Sequence, residues 1–580
     1  MDSQIYLGID IGGSRIKAVT VLGTQLRPVD VSSQIDSAVF EVVDSRLRDK
    51  GTIDDFITAL DELLDKIFPK DKTIISGIGI STAGIVNYAG TSVEIAGGHI
   101  SALTDSKWIN HLKEKTKAPV ALINDADATA VGAAVKGYLS GIQTIGVMPI
   151  GTGVGFTVWR NGRLWRPGGK YTLLGSIMSP KGSFDEIAGL AEINRRTNGR
   201  LSELFKEEFF IELRTEYEQH LSEVIYSACV VYNIDKILIG GGLAEIIGDY
   251  PLKEVLEAKI EPKLATLAQK VDIEIMYEGN RLPLIGASML AIGEQIARKN
   301  SRTKRYEQIE TEIPYQKSIH LEKKSAISIV ELLDLTERES AEKLKKSIPS
   351  IAEVANLIAD RLKKGGRLLY VGAGTSGRLA AIDTVEIPCT FGFPRDKVMT
   401  FISGGIADAS IEIETNFEED ASAVPELLLV NVQHNDIVIG ISVSGSAYYV
   451  QSALAFAKYC GAFSVLISES DKGNTFFCDR VIALHSGHEL VAGSTRMKAG
   501  TATKKVLNYL STTAMILLGN VYDCYMVEVE CINQKLIKRA QNLMQILFGI
   551  KEEDTYKILE QHDFNLKKAI IEMTISSNGE

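Results

Sequence analysis

Apolar residues in the first half of the chain form short runs that end in polar, glycine-rich turns. Residues 4–11 and 19–22 read as two strands joined by a tight turn, and residues 74–80 form a third apolar run. Apolar positions with helical spacing over residues 54–67 predict an amphipathic helix before that run. The pattern therefore predicts an α/β region that opens with a β-hairpin.

Three further segments repeat the change from an apolar run to a turn. Residues 121–128 read ALINDADA, a strand that ends at a helix of small residues. Residues 141–158 predict a second strand–turn–strand, and residues 236–242 predict a strand that breaks into glycines. Apolar spacing over residues 285–298 predicts a long helix that closes this half of the chain.

The second half alternates buried strands with helices. Residues 367–370 form an apolar run, and the sequence VGAGTSGRLAAIDTVE then predicts a glycine turn followed by a helix over residues 378–385. Four more apolar runs predict strands, at residues 397–402, 436–442, 463–468 and 480–485. Strands that alternate with helices predict a parallel sheet covered on both faces.

The glycine turn after residue 371 has the composition of a phosphate cradle. A turn between strand and helix directs backbone N–H groups and the positive end of a helix dipole into one small space. Thr375 and Ser376 add hydroxyl donors, and Glu386 follows about ten residues later. Similar turns in α/β proteins often bind nothing, so the turn alone leaves both interpretations open.

Composition bounds the architecture and the partners. A chain of 580 residues exceeds the size of one core, so two or more domains are expected. The net charge of −11 argues against non-specific binding to nucleic acid or to an anionic membrane. No run of 18 apolar residues, no signal peptide and no C-x-x-C pair occurs, which predicts a cytoplasmic protein with free thiols.

A polar segment separates the two halves. Residues 297–320 contain a basic cluster and then several glutamates, which is typical of a solvated linker. We predict a first domain over residues 1–300, a linker over 301–320, a second domain over 321–545 and a helical appendix over 546–580. The first domain is predicted to have two lobes. One lobe contains about residues 1–118 together with 282–300, and the other contains 119–281.

The ordered motifs of the first half resemble the sugar kinases of the actin-like ATPase superfamily, especially the ROK group. The resemblance implies MgATP as co-substrate, Asp125 as the catalytic base and Asn124 as a sugar contact. Asp10 would hold Mg²⁺ through water. The resemblance further implies ATP and phosphate contacts at Asp10, Gly12, Gly13, Ser14, Gly151, Thr152, Gly153, Gly240, Gly241 and Gly242.

One region departs from that group. Typical ROK kinases carry a His and a Cys-rich zinc motif after the second phosphate hairpin, whereas this sequence reads YTLLGSIMSPKGSFDEIAGL there, with no His or Cys. The departure predicts no zinc and a different mode of sugar recognition.

The second half resembles two related families. GAGTSGR is similar to the first phosphate loop of the sugar isomerase (SIS) family, and GHELVAGSTRMKAGTATKKVLNYLST is similar to the signature of N-acetylmuramic acid 6-phosphate etherases. The resemblance implies a doubly wound SIS sheet that pairs into a homodimer. It implies phosphosugar contacts at Gly374, Thr375, Ser376, Ser444, Gly445, Ser446, Glu489, Ser494, Thr495, Arg496 and Lys498.

The resemblance also implies two catalytic acids and no metal or organic cofactor for this half. Glu386 matches the first acid, and Glu419 matches the second, with Glu418 as the alternative. One carboxylate would remove the proton beside the open-chain aldehyde, and the other would protonate the departing lactate oxygen. The sequence departs from the etherase pattern at Val385, Ser446 and Ala447.

Three functions fit these motifs. The first is a fused enzyme that phosphorylates N-acetylmuramic acid or a related amino sugar and then cleaves the lactyl ether of the 6-phosphate, as in cell-wall recycling. The second is a sugar kinase with a phosphosugar-sensing SIS domain that resembles glucokinase regulators. The third, an aldose–ketose isomerase, ranks last because isomerases lack the GSTRMKAGT run.

Overall fold

A computed structural model describes residues 4–23, 26–47, 51–68, 74–87, 89–139, 144–160, 163–165, 171–300, 310–404, 421–470, 477–528 and 534–578. The chain divides into two compact units. The first unit contains Met1–Asn300 and Gly404–Val432, and the second contains Ser301–Ser403 and Gln433–Glu580.

The first sheet of the first unit has the strand order β3-β2-β1-β4-β7. Strands β1, β2 and β3 are antiparallel neighbours, whereas β4 and β7 extend the sheet in parallel from β1. The elements are β1 (Ile5–Ile11), β2 (Arg15–Leu22), α1 (Pro28–Ser37), β3 (Glu41–Asp44), α2 (Ile53–Ile67), β4 (Ile75–Thr82), β5 (Ile85–Val86), β6 (Val93–Ile95), α3 (Lys107–Thr116), β7 (Val120–Asn124) and α4 (Asp125–Val135).

The second sheet of this unit repeats the same topology. Its order is β10-β9-β8-β13-β14, with β8, β9 and β10 antiparallel and β13 and β14 parallel to β8. The elements are β8 (Ile145–Pro149), β9 (Thr157–Arg160), β10 (Arg163–Trp165), β11 (Met178–Ser179), β12 (Gly182–Ser183), α5 (Phe184–Ala188), α6 (Leu190–Arg196), α7 (Ile211–Tyr232), β13 (Lys236–Gly240), α8 (Gly242–Ile246), α9 (Leu252–Ala265) and β14 (Asp272–Ile275).

Helix α10 (Arg281–Asn300) returns to the first sheet and packs on β1, β4 and α4. Glycines permit this close approach. A Cβ atom at Gly79 would lie 1.8 Å from the backbone oxygen of Ala287, and one at Gly132 would lie 2.3 Å from that of Leu282. Helix α10 contains the segment predicted as a helix over residues 285–298.

The second unit is built on a parallel sheet of order β16-β15-β17-β18-β19. Every residue of β15, β16 and β17 is buried, as expected for a sheet covered on both faces. The elements up to the third strand are α11 (Ala326–Leu344), α12 (Ile348–Lys363), β15 (Leu368–Gly372), α13 (Gly374–Phe391), β16 (Val398–Ile402), α14 (Val424–Leu429, in the first unit) and β17 (Ile437–Ile441).

The remaining elements complete the sheet and end in a helical cluster. They are α15 (Tyr448–Tyr459), β18 (Phe463–Ser468), β19 (Arg480–Ala483), α16 (Lys498–Leu517), β20 (Val521–Tyr522), β21 (Tyr525–Met526), α17 (Gln534–Phe548), α18 (Glu552–Gln561) and α19 (Leu566–Asn578). Helices α17, α18 and α19 share a small core of their own. This core includes Ala540, so the predicted start of the appendix at residue 546 falls inside a helix that belongs to it.

Residues Gly404–Val432 belong to the first unit although both neighbouring segments belong to the second. Within that segment, α14 packs against α4 and α10, and its leucines are buried. The side-chain amide of Asn431 donates to the backbone oxygen of Ala134, 3.2 Å away. The predicted continuous domain over 321–545 differs from this division here, because the apolar face of α14 is buried by helices of the first unit.

Candidate functional site

Two glycine turns of the first unit face each other. One joins β1 to β2 and carries Ser14, and the other follows β8 and carries Thr152. The hydroxyl oxygens of Ser14 and Thr152 are 3.5 Å apart. A Cβ atom at Gly151 would meet nothing within 4 Å, so this turn borders open space. Hydroxyl groups and accessible backbone at facing turns are suited to binding a chain of phosphates.

Asp10 lies at the carboxyl end of β1, beside Ser81 of the parallel strand β4. The hydroxyl of Ser81 donates to Oδ1 of Asp10 at 2.8 Å. Burial raises the pKa of Asp10, and the nearby charge of Lys17 and the hydrogen bond from Ser81 oppose that rise. The carboxylate is therefore held at the mouth of the first hairpin, where it could bind a hydrated cation.

Asp125 is the first residue of α4, immediately after β7. It lies two strands from Asp10 at the same end of the sheet, a separation of about 10 Å between strand axes. Burial raises the pKa of Asp125 to about 7, and the negative charge of Asp10 is the second cause. A buried carboxyl group that titrates near neutral pH is suited to act as a general base.

Asn124 is the N-cap of α4. Its side-chain oxygen accepts hydrogen bonds from the backbone nitrogens of Ala126 and Asp127, at 3.0 and 3.3 Å, and its amide donates to the backbone oxygen of Gly84 at 2.9 Å. The carboxylate of Asp125 also accepts a hydrogen bond from the nitrogen of Ala126, at 2.9 Å. The sugar contact assigned to Asn124 by resemblance stays a prediction.

The turn Gly240–Gly242 lies against the strand of the second hairpin. The backbone nitrogen of Leu243 donates to the oxygen of Ile150 at 3.0 Å. Gly241 has a φ of 73°, and a Cβ atom there would lie 2.7 Å from the same oxygen. Only glycine suits this position, because both the left-handed backbone and the close approach exclude a side chain.

Asp185 supports the second hairpin and was not singled out from the sequence. Its Oδ1 accepts from the backbone nitrogen of Val154 at 2.6 Å, and a Cβ atom at Gly153 would lie 2.6 Å from the same oxygen. Burial raises its pKa. The available signal was an acidic residue in the first turn of α5, within the stretch that lacks the zinc motif.

In the second unit, the glycine turn that was predicted to bind phosphate is part of a helix. The sequence predicted a helix that begins at residue 378, but α13 begins at Gly374, which has a φ of 51°. The close approach of Gly372 to Gly377 explains the difference, since a Cβ atom at Gly372 would lie 2.6 Å from the nitrogen of Gly377. Thr375 is exposed and Ser376 is half-buried at this helix start.

A second hydroxyl-rich turn follows β17, which pairs with β15 in the sheet. The hydroxyls of Ser442 and Ser444 are 3.5 Å apart, and those of Ser444 and Ser446 are 2.6 Å apart. Gly445 has a φ of 67° and its oxygen accepts from the side chain of Gln451 at 2.8 Å. Because β15 and β17 are parallel neighbours, both turns lie at the same edge of the sheet.

The signature run from residue 487 reaches the start of α16. Glu489 is fully buried, and it accepts hydrogen bonds from the backbone nitrogens of Lys498 and Ala499, at 3.3 and 3.0 Å. Burial raises the pKa of Glu489 and lowers that of Lys498, while their mutual attraction opposes both changes. The Glu489 side chain therefore anchors the first turn of α16. This structural role explains the glutamate at this position even if it contacts no ligand.

The other phosphosugar candidates of this run differ in their exposure to solvent. Arg496 is exposed, and Ser494 and Thr495 are half-buried. Lys498 is buried, and its ammonium lies 5.9 Å from the ring centre of Tyr315. Their contacts with a phosphosugar stay predictions.

Glu386 lies on the exposed side of α13. It follows Gly374 by twelve residues of continuous helix, which is about 18 Å along the axis. The helix therefore does not bring Glu386 next to its own phosphate turn. The second predicted acid, Glu419, and its alternative Glu418 lie outside the described residues.

Asp383, one turn before Glu386, was also missed from the sequence. It is 3% exposed, and it accepts hydrogen bonds from the hydroxyls of Tyr370 and Ser511 at 3.0 and 3.2 Å. Burial raises its pKa, with the charge of Glu386 as a further, smaller cause. The only sequence signal was an aspartate three residues before a predicted acid.

Two family models match different parts of the chain. Residues 6–177 match the ROK family model, and residues 350–458 match the model of the glucokinase regulatory protein N-terminal SIS domain. The N-acetylmuramic acid 6-phosphate etherases of Geobacillus thermodenitrificans and Mycoplasma mycoides are 37% and 38% identical to this chain over 267 and 264 residues. These matches cover 46% and 45% of this chain, and 90% and 87% of the two relatives.

Through its C-terminal half, the chain belongs to the N-acetylmuramic acid 6-phosphate etherase family. We call this part the etherase half and residues 1–300 the kinase half. The chain thus joins a domain that resembles the ROK family to an etherase-family domain, and the predicted fold class is confirmed. The departures at Val385, Ser446 and Ala447 lie within the etherase half.

The chain is also similar to solved structures whose names are those of bacterial sugar kinases. The ROK family glucokinase from Streptomyces griseus, in complex with glucose and AMPPNP, is 17% identical with a TM-score of 0.39, and the match covers 50% of this chain and 99% of that chain. The putative N-acetylmannosamine kinase from Listeria monocytogenes is 20% identical with a TM-score of 0.38, and the match covers 50% and 100%.

No group of three or more His, Cys, Asp or Glu side chains in the described part of either half could hold a metal ion. Among the helices of the described ranges, none is long and apolar enough to cross a membrane. The expected absence of zinc stays a prediction.

Proposed function

We propose that the chain carries out two consecutive reactions. The kinase half uses ATP to phosphorylate the 6-hydroxyl of N-acetylmuramic acid or a related amino sugar, and the etherase half cleaves the resulting 6-phosphate to N-acetylglucosamine 6-phosphate and D-lactate. The observation that carries the proposal is the pairing itself. A ROK-type kinase domain is joined to a half that is 37% identical to enzymes named for this phosphosugar.

The first site fits MgATP in the chemistry of its donors. The facing turns offer backbone N–H groups and the hydroxyls of Ser14 and Thr152, and Asp10 offers a carboxylate for hydrated Mg²⁺. ATP, when bound, supplies the phosphoryl group. Asp125 accepts the proton of the attacking sugar hydroxyl, which is the main acid–base task in phosphoryl transfer.

Sugar phosphorylation should depend on pH through Asp125. Its carboxylate is the base, and its pKa is raised to about 7, so kcat/KM should rise with pH through about 7 and then level off. The profile is measured with saturating MgATP from about pH 5.5 to about pH 9. A rate that stays constant across that range would remove Asp125 from the role of base.

The etherase reaction needs proton transfer and phosphate binding. Glu386 and a second acid, Glu419 or Glu418, exchange protons with the open-chain sugar, and water then adds to the unsaturated aldehyde. The turns at Thr375 and at Ser444 bind the phosphate. This chemistry requires no metal or organic cofactor.

We further propose that the etherase half forms a homodimer through the face that carries Glu386. Ile382 and Val385 share this face of α13 and are 49% and 64% exposed, and Tyr509 and Ile516 of the neighbouring helix α16 are also exposed. Apolar side chains around a proposed catalytic acid are typical of a surface that a second copy covers. Nucleic acid and membranes are not expected partners, given the net charge of −11.

We place both reactions in the cytoplasm. The first reaction consumes ATP, and the described cysteines are all free thiols.

One observation favours a second function. Residues 350–458 match the glucokinase regulatory protein model, and Ser446 and Ala447 replace an Arg-Thr pair of the etherase pattern. On this alternative the second half binds a phosphosugar and regulates the kinase half without cleaving the ether.

A lactate assay separates the two functions. The purified protein is incubated with N-acetylmuramic acid and Mg²⁺, with and without ATP, and lactate should appear only with ATP. Authentic N-acetylmuramic acid 6-phosphate should yield lactate without ATP. Phosphorylated sugar with no lactate, even from the authentic 6-phosphate, would replace the etherase reaction with the regulatory function.

A further inference from the structure

A single buried carboxylate joins three elements of the second unit. Asp383 of α13 accepts hydrogen bonds from Tyr370 of β15 and from Ser511 of α16, and the ammonium of Lys504 of α16 lies 4.0 Å from its Oδ1. Its side chain is buried, whereas Lys504 is 32% exposed at its side chain. A buried charge is retained only where such partners compensate for lost hydration, so these contacts fix this turn of α13 in place.

The same turn of α13 carries Glu386, and it lacks one backbone hydrogen bond of the helix. Residues three apart on a helix are neighbours, with about 5–6 Å between their Cβ atoms, so Asp383 lies beside Glu386. Pro388 stands inside the helix and has no N–H to donate to the oxygen of Thr384. The side chain of Thr384 ties this turn to β16, with 2.6 Å between its hydroxyl oxygen and that of Thr400.

We propose that Asp383 is a positioning residue for lactyl-ether cleavage. It holds the turn of α13 that carries Glu386 against β15 and α16, and it places a negative charge beside the Glu386 carboxyl group. The inference rests on the proposed role of Glu386. Titratable groups that face Asp383 are Tyr370 from β15, Lys504 from α16 and Glu386 from its own helix, and each contributes to raising or lowering the pKa of Asp383. Strand β16 contributes no charged side chain here.

Asp383→Asn tests the positioning role. The amide keeps the shape of the side chain but removes its charge and one of its acceptor oxygens. For lactate release from the 6-phosphate, kcat should fall at least about tenfold while KM changes less than about twofold. The pH–rate profile should also move to lower pH, because the negative charge beside Glu386 is removed.

Lys504→Gln should displace the pH–rate profile in the opposite direction. This side chain is part of no proposed proton transfer and reaches solvent, so the variant should fold. Loss of its positive charge leaves Asp383 less compensated, and the profile should move to higher pH. A general loss of packing would lower the rate but would not move the pH–rate profiles of the two variants in opposite directions.

The outcomes distinguish this inference from the function on which it rests. Glu386→Gln is assayed in parallel. If Glu386→Gln retains lactate release, or the parent enzyme releases none, the proposed function fails and this inference fails with it. If Glu386→Gln is inactive but Asp383→Asn keeps its kcat within about twofold, or neither charge variant displaces the profile, only the positioning role is overturned.

Discussion

Asp125→Asn should lower ATP-dependent sugar phosphorylation by about 10²- to 10⁴-fold, because an amide cannot accept the proton of the attacking hydroxyl. Its oxygen can still accept the hydrogen bond that Asp125 takes from the nitrogen of Ala126 at 2.9 Å. The variant is assayed for phosphorylated sugar at pH 8, where the parent side chain is mostly ionised.

Controls separate this loss from misfolding. Asp54→Asn changes an exposed aspartate in the first turn of α2 and should leave phosphorylation unchanged. The folded-state pKa of Asp125 lies above its ordinary value, so its ionisation destabilises the folded state as pH rises through about 7. Asp125→Asn should therefore unfold at the same temperature as the parent or a higher one at pH 8. Phosphorylation within a few-fold of the parent would mean that another group is the base.

Glu386→Gln should lower lactate release from N-acetylmuramic acid 6-phosphate by about 10²- to 10⁴-fold while phosphorylation continues. The change preserves size and removes the capacity to exchange a proton. Since Glu386 is exposed on α13, the substitution should leave the fold intact. The measurement is the initial rate of lactate formation with the 6-phosphate in excess.

Glu331→Gln is the matched control for that variant, since Glu331 is an exposed helical glutamate of α11 in the same unit. It should release lactate at the parent rate. If Glu386→Gln does so too, the proton transfer belongs to another acid, with Glu419 and Glu418 as the next residues to test.

Local pattern predicted most of the elements. Two short apolar runs joined by a glycine turn predicted the hairpin of β1 and β2, and continuous apolar runs predicted the buried strands β15 to β19. Asp10, Asp125 and the serines after β17 stand at or just beyond the ends of strands that apolar runs predicted. These signals depend on residues close together in the chain.

Contacts between distant residues were not predictable in this way. Asp383 and Ser511 are 128 positions apart, and Asp10 and Ser81 are 71 apart. Glu489 resembles a ligand contact in the sequence, yet its carboxylate bonds to the start of a helix nine residues later. Periodicity reports whether a position is apolar, but it does not report which polar group a buried carboxylate will meet.

Because Gly404–Val432 belongs to the first unit, the two halves cannot be separated by one cut in the chain without disrupting that unit. A gene cut after Asn300 would encode a kinase that lacks α14, and would leave the faces of α4 and α10 that bury Leu427 and Leu428 open to water. The complementary fragment would carry a leucine-rich helix with no surface to cover it. Recombination that shuffles the two halves as separate modules would therefore be selected against unless this crossover were redesigned at the same time.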